Sequence, residues 1–251
     1  MNLHLTKFNK AWVQVIRLVI HWNELILFYP KLKKFYRKYL THQELNIIDV
    51  GANRGQSIDF FLGIHPKVNI HSFEPNKRLF ELLKDKYHSK KEVKLIDLGI
   101  SDKIGKSLFY ENLIDLTSSL EEVNPKSKYL DKKAKILGVE KDKIIVDQYQ
   151  IDVITISSFL NEHPNTYFDV LKIDVEGHEL SCLNGLFNSD RKIYPIRFIQ
   201  LERHNDDMYL SSAKFEEIDD LLNENGFIKV KDIKHGFGDF SELVYENCNK
   251  R

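Results

Sequence analysis

Two clusters of acidic residues and histidines follow predicted strands and could supply acid–base chemistry. The first is the segment 174–179, which holds three carboxylates and one imidazole where the apolar run 168–175 ends. The second is 202–204, Glu-Arg-His, which comes directly after the mainly apolar run 196–201. Both runs are typical of buried strands, and open α/β sheets bind ligands at the carboxyl ends of their strands. Because neighbouring strands end at the same edge of a sheet, we expect the two clusters to lie together.

A glycine-containing turn follows the first predicted strand, 46–50. Gly51 and Gly55 remove side chains where the backbone must approach a ligand. Glu74 follows the next predicted strand, 68–73, and offers two acceptor oxygens to a pair of ribose hydroxyls. The pattern predicts a βαβ unit that binds a nucleoside-containing cofactor.

The spacing of this turn separates two kinds of cofactor. A dinucleotide site requires G-x-G-x-x-G, so that a pyrophosphate can lie against the helix N-terminus. Here Asn53 replaces the second glycine, where its side chain would crowd a pyrophosphate but could hydrogen-bond a smaller ligand. Asp49 adds a carboxylate at the strand end. These residues favour a cationic cofactor without phosphate, such as S-adenosylmethionine, over a nicotinamide dinucleotide.

Composition narrows the class of partner. The chain has 251 residues, with 37 Lys and Arg against 37 Asp and Glu, so its formal net charge is zero. A neutral chain has no overall field that would attract nucleic acid or an anionic membrane, and a small-molecule partner is expected. Cys182 and Cys248 lie far apart, without metal-site or disulfide spacing, which favours a reducing cytoplasm.

Residues 1–44 are predicted to form a helical N-terminal arm. The segment 11–29 is rich in large apolar residues, but Arg17 and Glu24 interrupt it. One such charge near the centre of a membrane span costs roughly 2.5–3.5 kcal/mol. We therefore expect the arm to pack on the core or on a second subunit. An interfacial membrane helix, with basic residues between 31 and 38, is the less favoured alternative.

From residue 45 to residue 251, alternating strand and helix patterns predict one α/β domain. We expect a seven-stranded, mostly parallel sheet with helices on both faces, and Asn76 as the cap of one helix. The alternation of strand and helix patterns weakens over 112–147, and we interpret this segment as an insertion or lid. We interpret its lysine-rich run, 126–143, as a solvated face. The expected closing elements are a helix at 212–225, ended by Gly226, and strands at 227–233 and 241–246.

Five motifs, in order and spacing, resemble the FkbM-type methyltransferases. They are Asp49-Val50-Gly51-Ala52-Asn53-Arg54-Gly55, Phe73-Glu74-Pro75, Ser101-Asp102 with Gly105, Ser118-Ser119-Leu120, and the segment Leu171 to Glu179. The match spans roughly residues 46 to 204. The resemblance implies a Rossmann-like class I methyltransferase that uses S-adenosylmethionine. It also implies methyl transfer to a hydroxyl oxygen, frequently on a sugar or polyketide.

The resemblance assigns roles to individual residues. The loop beneath the methionine part of the cofactor would consist of Asp49, Gly51, Asn53 and Gly55. Glu74 would hold the ribose, and Ser101 and Asp102 would lie near the adenine. Asp174 would face the methionine moiety or the substrate.

Methyl transfer from a sulfonium needs alignment and removal of the acceptor's proton. His178 and His204 are the main candidates for the base because the unperturbed pKa of histidine is about 6.5. His178 is slightly favoured, and Asp174 and Glu202 are orienting carboxylates or alternative bases. A divalent metal on Asp174, Glu202 and His204 is conceivable but not favoured, since carboxylates at strand ends more often accept hydrogen bonds.

The sequence thus predicts a cytoplasmic S-adenosylmethionine-dependent O-methyltransferase that acts on a small-molecule hydroxyl, on a sugar or glycoside, without a nucleic-acid partner. Two other functions stay open: a nicotinamide-dependent oxidoreductase and a catalytically silent nucleoside-binding protein. A homodimer formed through the arm also stays open.

Overall fold

The computed structural model describes most of the chain after residue 27, in several stretches. These are residues 28–41, 43–113, 118–137, 139–141, 144–188, 193–204, 207–210, 215–234 and 240–249. The described strands are β1 (Leu45–Val50), β2 (Val68–Phe73), β3 (Val93–Ile96), β4 (Gly99–Ile100), β5 (Gly105–Asn112), β6 (Ile145–Ile154), β7 (Phe168–Ile173), β8 (Ile196–His204), β9 (Phe227–Lys234) and β10 (Phe240–Asn247). The described helices are α1 (Tyr29–Tyr39), α2 (Gln56–Leu62), α3 (Lys77–Tyr87), α4 (Lys128–Leu137), α5 (Ile156–Glu162), α6 (Glu179–Phe187) and α7 (Phe215–Glu224).

Seven of these strands form one sheet in the order β3-β2-β1-β7-β8-β10-β9. Strand β10 is antiparallel to both of its neighbours, and the other adjacent pairs are parallel. The chain order reverses between β1 and β7, and ligands of open α/β sheets bind at the carboxyl side of such a reversal. The predicted seven-stranded, mostly parallel sheet is confirmed.

Apolar side chains cover both faces of this sheet. Successive residues of a strand point to opposite faces, so Leu171 of β7 packs with Leu183 of α6 on one side. The preceding residue, Val170, packs on the other side in a cluster that includes Phe61 of α2 and Leu83 of α3. Helices therefore lie on both faces, as the sequence predicts.

The described part of the N-terminal arm packs on the core. Leu32, Phe35 and Tyr36 of α1 are buried, and the ring centroid of Phe35 lies 5.6 Å from that of Phe198 on β8. The apolar face of α1 is thus covered by the sheet, which agrees with the favoured prediction. Residues 1–27, with most of the apolar segment, lie outside the described residues. Among the described helices, none combines the length and the apolar character that a membrane crossing requires.

Local signals for helix ends are confirmed. The side-chain oxygen of Asn76 accepts the backbone N–H groups of Arg78 and Leu79 at 3.1 and 3.2 Å, as expected of a cap on α3. Gly226 follows α7 with a φ of +80°, the left-handed conformation that favours glycine at a helix end.

Strands β7 and β8 differ in length from their predicted forms. Strand β7 ends at Ile173 instead of Val175, so Asp174 lies just beyond it. Strand β8 continues past the expected end at 201, because Glu202 and Arg203 pair with residues of β10. The carboxylate of Glu202 therefore belongs to a strand and not to the loop after it.

The segment between β3 and α5 forms a second sheet that the sequence did not indicate. It contains the two-residue strand β4 and the longer strands β5 and β6. These three strands pair in the order β4-β6-β5, with β5 and β6 antiparallel. Pairing between β5 and β6 satisfies their backbone groups without the main sheet, which explains the separation.

Helix α4 lies in the lysine-rich run that was expected only to be a solvated face. Its apolar residues Leu130 and Ala134 pack in a small cluster with Val123, Ile144 and Tyr209. The lysines occupy the other positions of an amphipathic helix, so the charge run conceals helical periodicity. The role of 112–147 as an insertion or lid stays a prediction.

Candidate functional site

The glycine turn lies tightly against the ends of the neighbouring strands. The N–H of Gly51 donates to the carbonyl of Phe73 at 3.1 Å, and Gly51 has a φ of +85°. A Cβ on Gly51 would lie 1.9 Å from the carbonyl oxygen of Asp174. A Cβ on Gly55, whose φ is +83°, would lie 2.3 Å from the hydroxyl of Tyr87. Both positions therefore require glycine, for conformation and for space.

Glu74 connects the turn to the end of β2. Its carboxylate is buried and accepts the backbone N–H of Asn53 at 2.7 Å and that of Asn76 at 2.9 Å. Asn53 has a φ of +50°, so a left-handed residue aims this N–H at the carboxylate. A carboxylate can accept about four hydrogen bonds, and its orientation by these two donors is compatible with binding ribose hydroxyls.

Asp49 lies beneath the turn and is completely buried. Its Oδ2 accepts the hydroxyls of Ser57 at 2.8 Å and Ser72 at 2.6 Å. Its Oδ1 lies 3.7 Å from the ammonium nitrogen of Lys172. A carboxylate held in this way supports the turn, and its place in the loop beneath the methionine part of the cofactor stays a prediction.

Lys172 places a buried positive charge between two carboxylates. Its Nζ donates to Asp174 Oδ2 at 3.1 Å and lies 3.7 Å from Asp49 Oδ1. Burial alone would lower the pKa of Lys172. The carboxylates of Asp174 and Asp49 outweigh burial and hold this pKa above its ordinary value, so the ammonium stays charged. Neither Lys172 nor Glu242 was among the predicted site residues, although a lysine within a buried strand is an unusual signal.

Three carboxylates meet at the carboxyl edge of β7 and β8. Oxygen atoms of Asp174, Glu176 and Glu202 all lie within 4.8 Å of one another, and the three residues are partly exposed. We call these three residues the acidic edge. The hydroxyl of Tyr209 donates to Glu176 at 3.2 Å. The expectation that Asp174 and Glu202 lie together is confirmed, and Glu176 is a third member.

The acidic edge differs from the set of candidate metal ligands that the sequence suggested. That set combined Asp174 and Glu202 with His204, whose side chain lies outside the described residues although its backbone ends β8. Partly exposed carboxylates accept hydrogen bonds from ligands as readily as they hold cations. We assign no ion to the acidic edge, and a metal stays the less favoured alternative.

His178 precedes α6 and has contacts at both ring nitrogens. Its Nδ1 lies 2.6 Å from Glu121 Oε1, and its Nε2 lies 3.0 Å from the hydroxyl of Ser101. Only 8% of the residue is exposed. To act as a base, His178 would have to release one of these contacts, so the geometry favours a linking role. Glu121 was not predicted, although it directly follows the Ser118-Ser119-Leu120 motif.

The Ser101-Asp102 turn follows β4 and is fixed against α6. The hydroxyl of Ser101 donates to Asp102 Oδ1 at 3.1 Å. A Cβ on Gly185 of α6 would lie 2.1 Å from the carbonyl oxygen of Ser101, which shows how closely helix and turn approach. Contact between this turn and an adenine ring stays a prediction.

Comparison with known proteins agrees with this arrangement. The sequence model of the family described as "Methyltransferase FkbM domain" matches residues 49–229. The 2-O-methyltransferase NoeI of Sinorhizobium fredii is 23% identical over 185 residues, which cover 70% of each chain. Methyltransferase 1 of Beauveria bassiana is 29% identical over 146 residues, which cover 56% of this chain and 57% of that protein.

The fold also resembles solved methyltransferase structures. One is magnesium protoporphyrin IX methyltransferase (ChlM) from Synechocystis PCC 6803 with bound SAM. The superposition has a TM-score of 0.50 at 10% sequence identity and covers 98% of this chain and 86% of that one. At this identity the likeness concerns the fold, and it agrees with the class I architecture of the large sheet.

Proposed function

Because this chain belongs to the FkbM methyltransferase domain family and is an S-adenosylmethionine-dependent methyltransferase, we propose that it transfers the methyl group to a hydroxyl oxygen of a small molecule, a sugar or a glycoside. The observation that carries this proposal is the acidic edge next to the glycine turn. Asp174 belongs to both, since its carbonyl oxygen packs against Gly51 and its carboxylate belongs to the edge. The family match also favours this cofactor over the nicotinamide alternative.

The residues around the turn fit the cofactor in charge and in hydrogen bonding. Glu74 offers acceptors for ribose hydroxyls, and the glycines let the turn pack closely against Asp174 and Tyr87, which fixes its shape beside the acidic edge. When bound, S-adenosylmethionine supplies an electrophilic methyl group on a sulfonium. The acidic edge lies beside this turn and would favour a positively charged ligand.

The acidic edge also fits a polyhydroxylated acceptor. Carboxylates accept hydrogen bonds from neighbouring hydroxyls, and three of them within a few ångströms could fix the orientation of a sugar ring. The relative NoeI is named a 2-O-methyltransferase, which supports oxygen as the methyl acceptor here. Its low identity leaves the identity of the acceptor to experiment.

We propose that Asp174 or Glu202 removes the hydroxyl proton. Both carboxylates belong to the partly exposed edge, whereas the imidazole of His178 is buried between Glu121 and Ser101. The ammonium of Lys172 donates to Asp174, which favours the ionised carboxylate that a base requires. Alignment of the hydroxyl by the edge and removal of its proton are the two tasks that fall to the protein.

Two measurements test the proposal. Isothermal titration with S-adenosylhomocysteine, compared with reduced nicotinamide dinucleotide, should show binding of the first ligand alone. Transfer from methyl-labelled S-adenosylmethionine to a panel of glycosides should then give a labelled ether. Labelling of nitrogen or carbon acceptors, with none of the glycosides, would overturn the acceptor class. Binding without transfer to any acceptor would instead favour the silent nucleoside-binding alternative.

A further inference from the structure

A row of polar side chains crosses the interior of the large sheet. Ser72, Asp49, Lys172 and Gln200 occupy directly paired positions on the adjacent strands β2, β1, β7 and β8. Each of these residues is buried. Burying polar groups is costly unless they are hydrogen-bonded or charge-paired, so such a row must be satisfied along its length. We call these four residues the polar row.

The polar row continues beyond β8 through two further buried residues. The side-chain amide of Gln200 donates to Glu242 on β10 at 2.9 Å. The carbonyl oxygen of the same amide accepts the hydroxyl of Tyr36 on α1 at 2.6 Å. Both polar atoms of the Gln200 amide therefore have partners, the nitrogen on β10 and the oxygen on α1.

Glu242 also lies close to the charged groups of the site. Burial, and then the negative charges of Glu202 and Asp174, raise the pKa of Glu242, while Lys172 opposes this change. A protonated Glu242 adds hydrogen bonding without adding another negative charge. The ammonium of Lys172 then interacts chiefly with Asp49 and Asp174.

We propose that Tyr36 and Glu242 are positioning residues for methyl transfer. Together they hold Gln200 at the end of the polar row, next to Lys172, and Lys172 in turn holds the carboxylate of Asp174 at the acidic edge. The inference rests on the proposed function in one respect, the role of Asp174 in the transfer. Residues 36 and 242 lie outside the range 49–229 that matches the family, so this support comes from flanking parts of the chain.

The first test removes one hydroxyl. Tyr36→Phe keeps the ring and loses only the hydrogen bond to Gln200, while Tyr39→Phe on the same helix removes a hydroxyl that contacts Lys38 at the surface. We expect Tyr36→Phe to lower kcat about fivefold or more, a loss of about 1 kcal/mol or more in transition-state stabilisation. The affinity for S-adenosylhomocysteine should stay within about twofold, because the cofactor turn is unchanged. Tyr39→Phe should match the parent protein.

The second test compares two substitutions of Glu242, one conservative and one not. Gln keeps the shape and hydrogen bonding of a protonated carboxyl, whereas Leu removes both. We expect Glu242→Gln to keep kcat within about twofold of the parent value and Glu242→Leu to lower kcat about tenfold. Calorimetric unfolding of each variant shows beforehand that it is folded. Unchanged kcat in Tyr36→Phe and Glu242→Leu would overturn the proposal. Equal losses in Tyr36→Phe and Tyr39→Phe would do so as well.

A third readout separates this inference from the identity of the acceptor. The Nζ resonance of Lys172, assigned with Lys172→Met in protein labelled at lysine side chains, reports directly on the polar row. It should shift in Tyr36→Phe and not in Tyr39→Phe. If no glycoside is methylated but the resonance shifts, the acceptor assignment fails while the connection to Tyr36 holds. An unshifted resonance contradicts the connection, whatever the acceptor.

Discussion

The carbonyl oxygen of Asp174 lies 1.9 Å from the point that a Cβ on Gly51 would occupy. The turn after β1 and the segment after β7 thus meet with no room for a methyl group. Because Gly51 belongs to the predicted cofactor turn and Asp174 to the acidic edge, the two halves of the site share one backbone contact. A change at this contact should therefore affect both the cofactor turn and the acidic edge.

Gly51→Ala should therefore weaken cofactor binding strongly. The substitution imposes a clash with Asp174 and a left-handed conformation on alanine, which costs of the order of 1–3 kcal/mol for the backbone alone. We expect the affinity for S-adenosylhomocysteine to fall by more than about tenfold in titration calorimetry. Gly63→Ala is the matched control, since Gly63 has an ordinary φ of −84° at the end of α2. An affinity in Gly51→Ala equal to that of the control would contradict the expectation.

Glu74→Ala should abolish measurable binding of S-adenosylhomocysteine. The variant loses the proposed acceptor for the ribose and also releases the N–H of Asn53, so the turn loses one of its connections to the end of β2. Hydrogen bonds to charged groups contribute about 1.5–3 kcal/mol each, which corresponds to a loss of about tenfold to more than a hundredfold per bond. Glu81→Ala removes an exposed glutamate of α3 that pairs with Lys84, and it should leave the affinity unchanged. Retained binding in Glu74→Ala would argue against the cofactor site.

The main sheet could be predicted because its signals are local. Apolar runs such as 168–175, the cap at Asn76 and the glycine at 226 each act within a few residues. The small sheet could not be predicted, because β5 and β6 pair across a segment of weak periodicity that includes α4. Lysines on α4 concealed the apolar positions that pack with Tyr209.

The glycine turn could be predicted from sequence for the same reason, since Gly51, Gly55 and Glu74 follow strands in a recognisable order. Its contact with the cofactor stays a prediction. The buried polar residues that support this turn could not be predicted from sequence. Tyr36 and Gln200 are 164 positions apart, and only the fold brings them together. Sequence position can also suggest a role that the tertiary contacts oppose. His178 follows a predicted strand like an available base, but contacts in the fold occupy both of its ring nitrogens.

His71 should make the protein sensitive to acid. It is buried among the rings of Phe159, His163 and Phe168, and neither of its nitrogens has a hydrogen-bond partner among the described residues. Burial, followed by the charges of Lys94 and His163, lowers the pKa of His71 to about 4. The unfolded chain, with a pKa near 6.5, then binds more protons than the folded one, so stability falls as the pH drops from about 6.5 to 4.

Replacing His71 by Phe should remove this sensitivity. Relative to the parent protein, His71→Phe should gain up to about 2 kcal/mol more in free energy of unfolding at pH 5 than at pH 8. Urea denaturation at the two pH values measures the difference. His88→Phe, at an exposed histidine after α3, should show no such pH dependence. An equal change at both pH values for His71→Phe would mean that His71 titrates normally in the folded state.

Asp174→Asn and His178→Gln should separate two of the candidate bases, Asp174 and His178. Asparagine keeps the size of Asp174 but cannot accept a proton, and general-base catalysis contributes about 10²–10⁴-fold, so kcat should fall by that order. His178→Gln can keep hydrogen bonds to Glu121 and Ser101, and we expect it to lose less than about tenfold if the histidine only links these residues. Both variants should bind S-adenosylhomocysteine, and a chelator should leave the parent activity unchanged. The reverse order of losses would return the role of base to His178, and loss of activity with the chelator would give the acidic edge a metal.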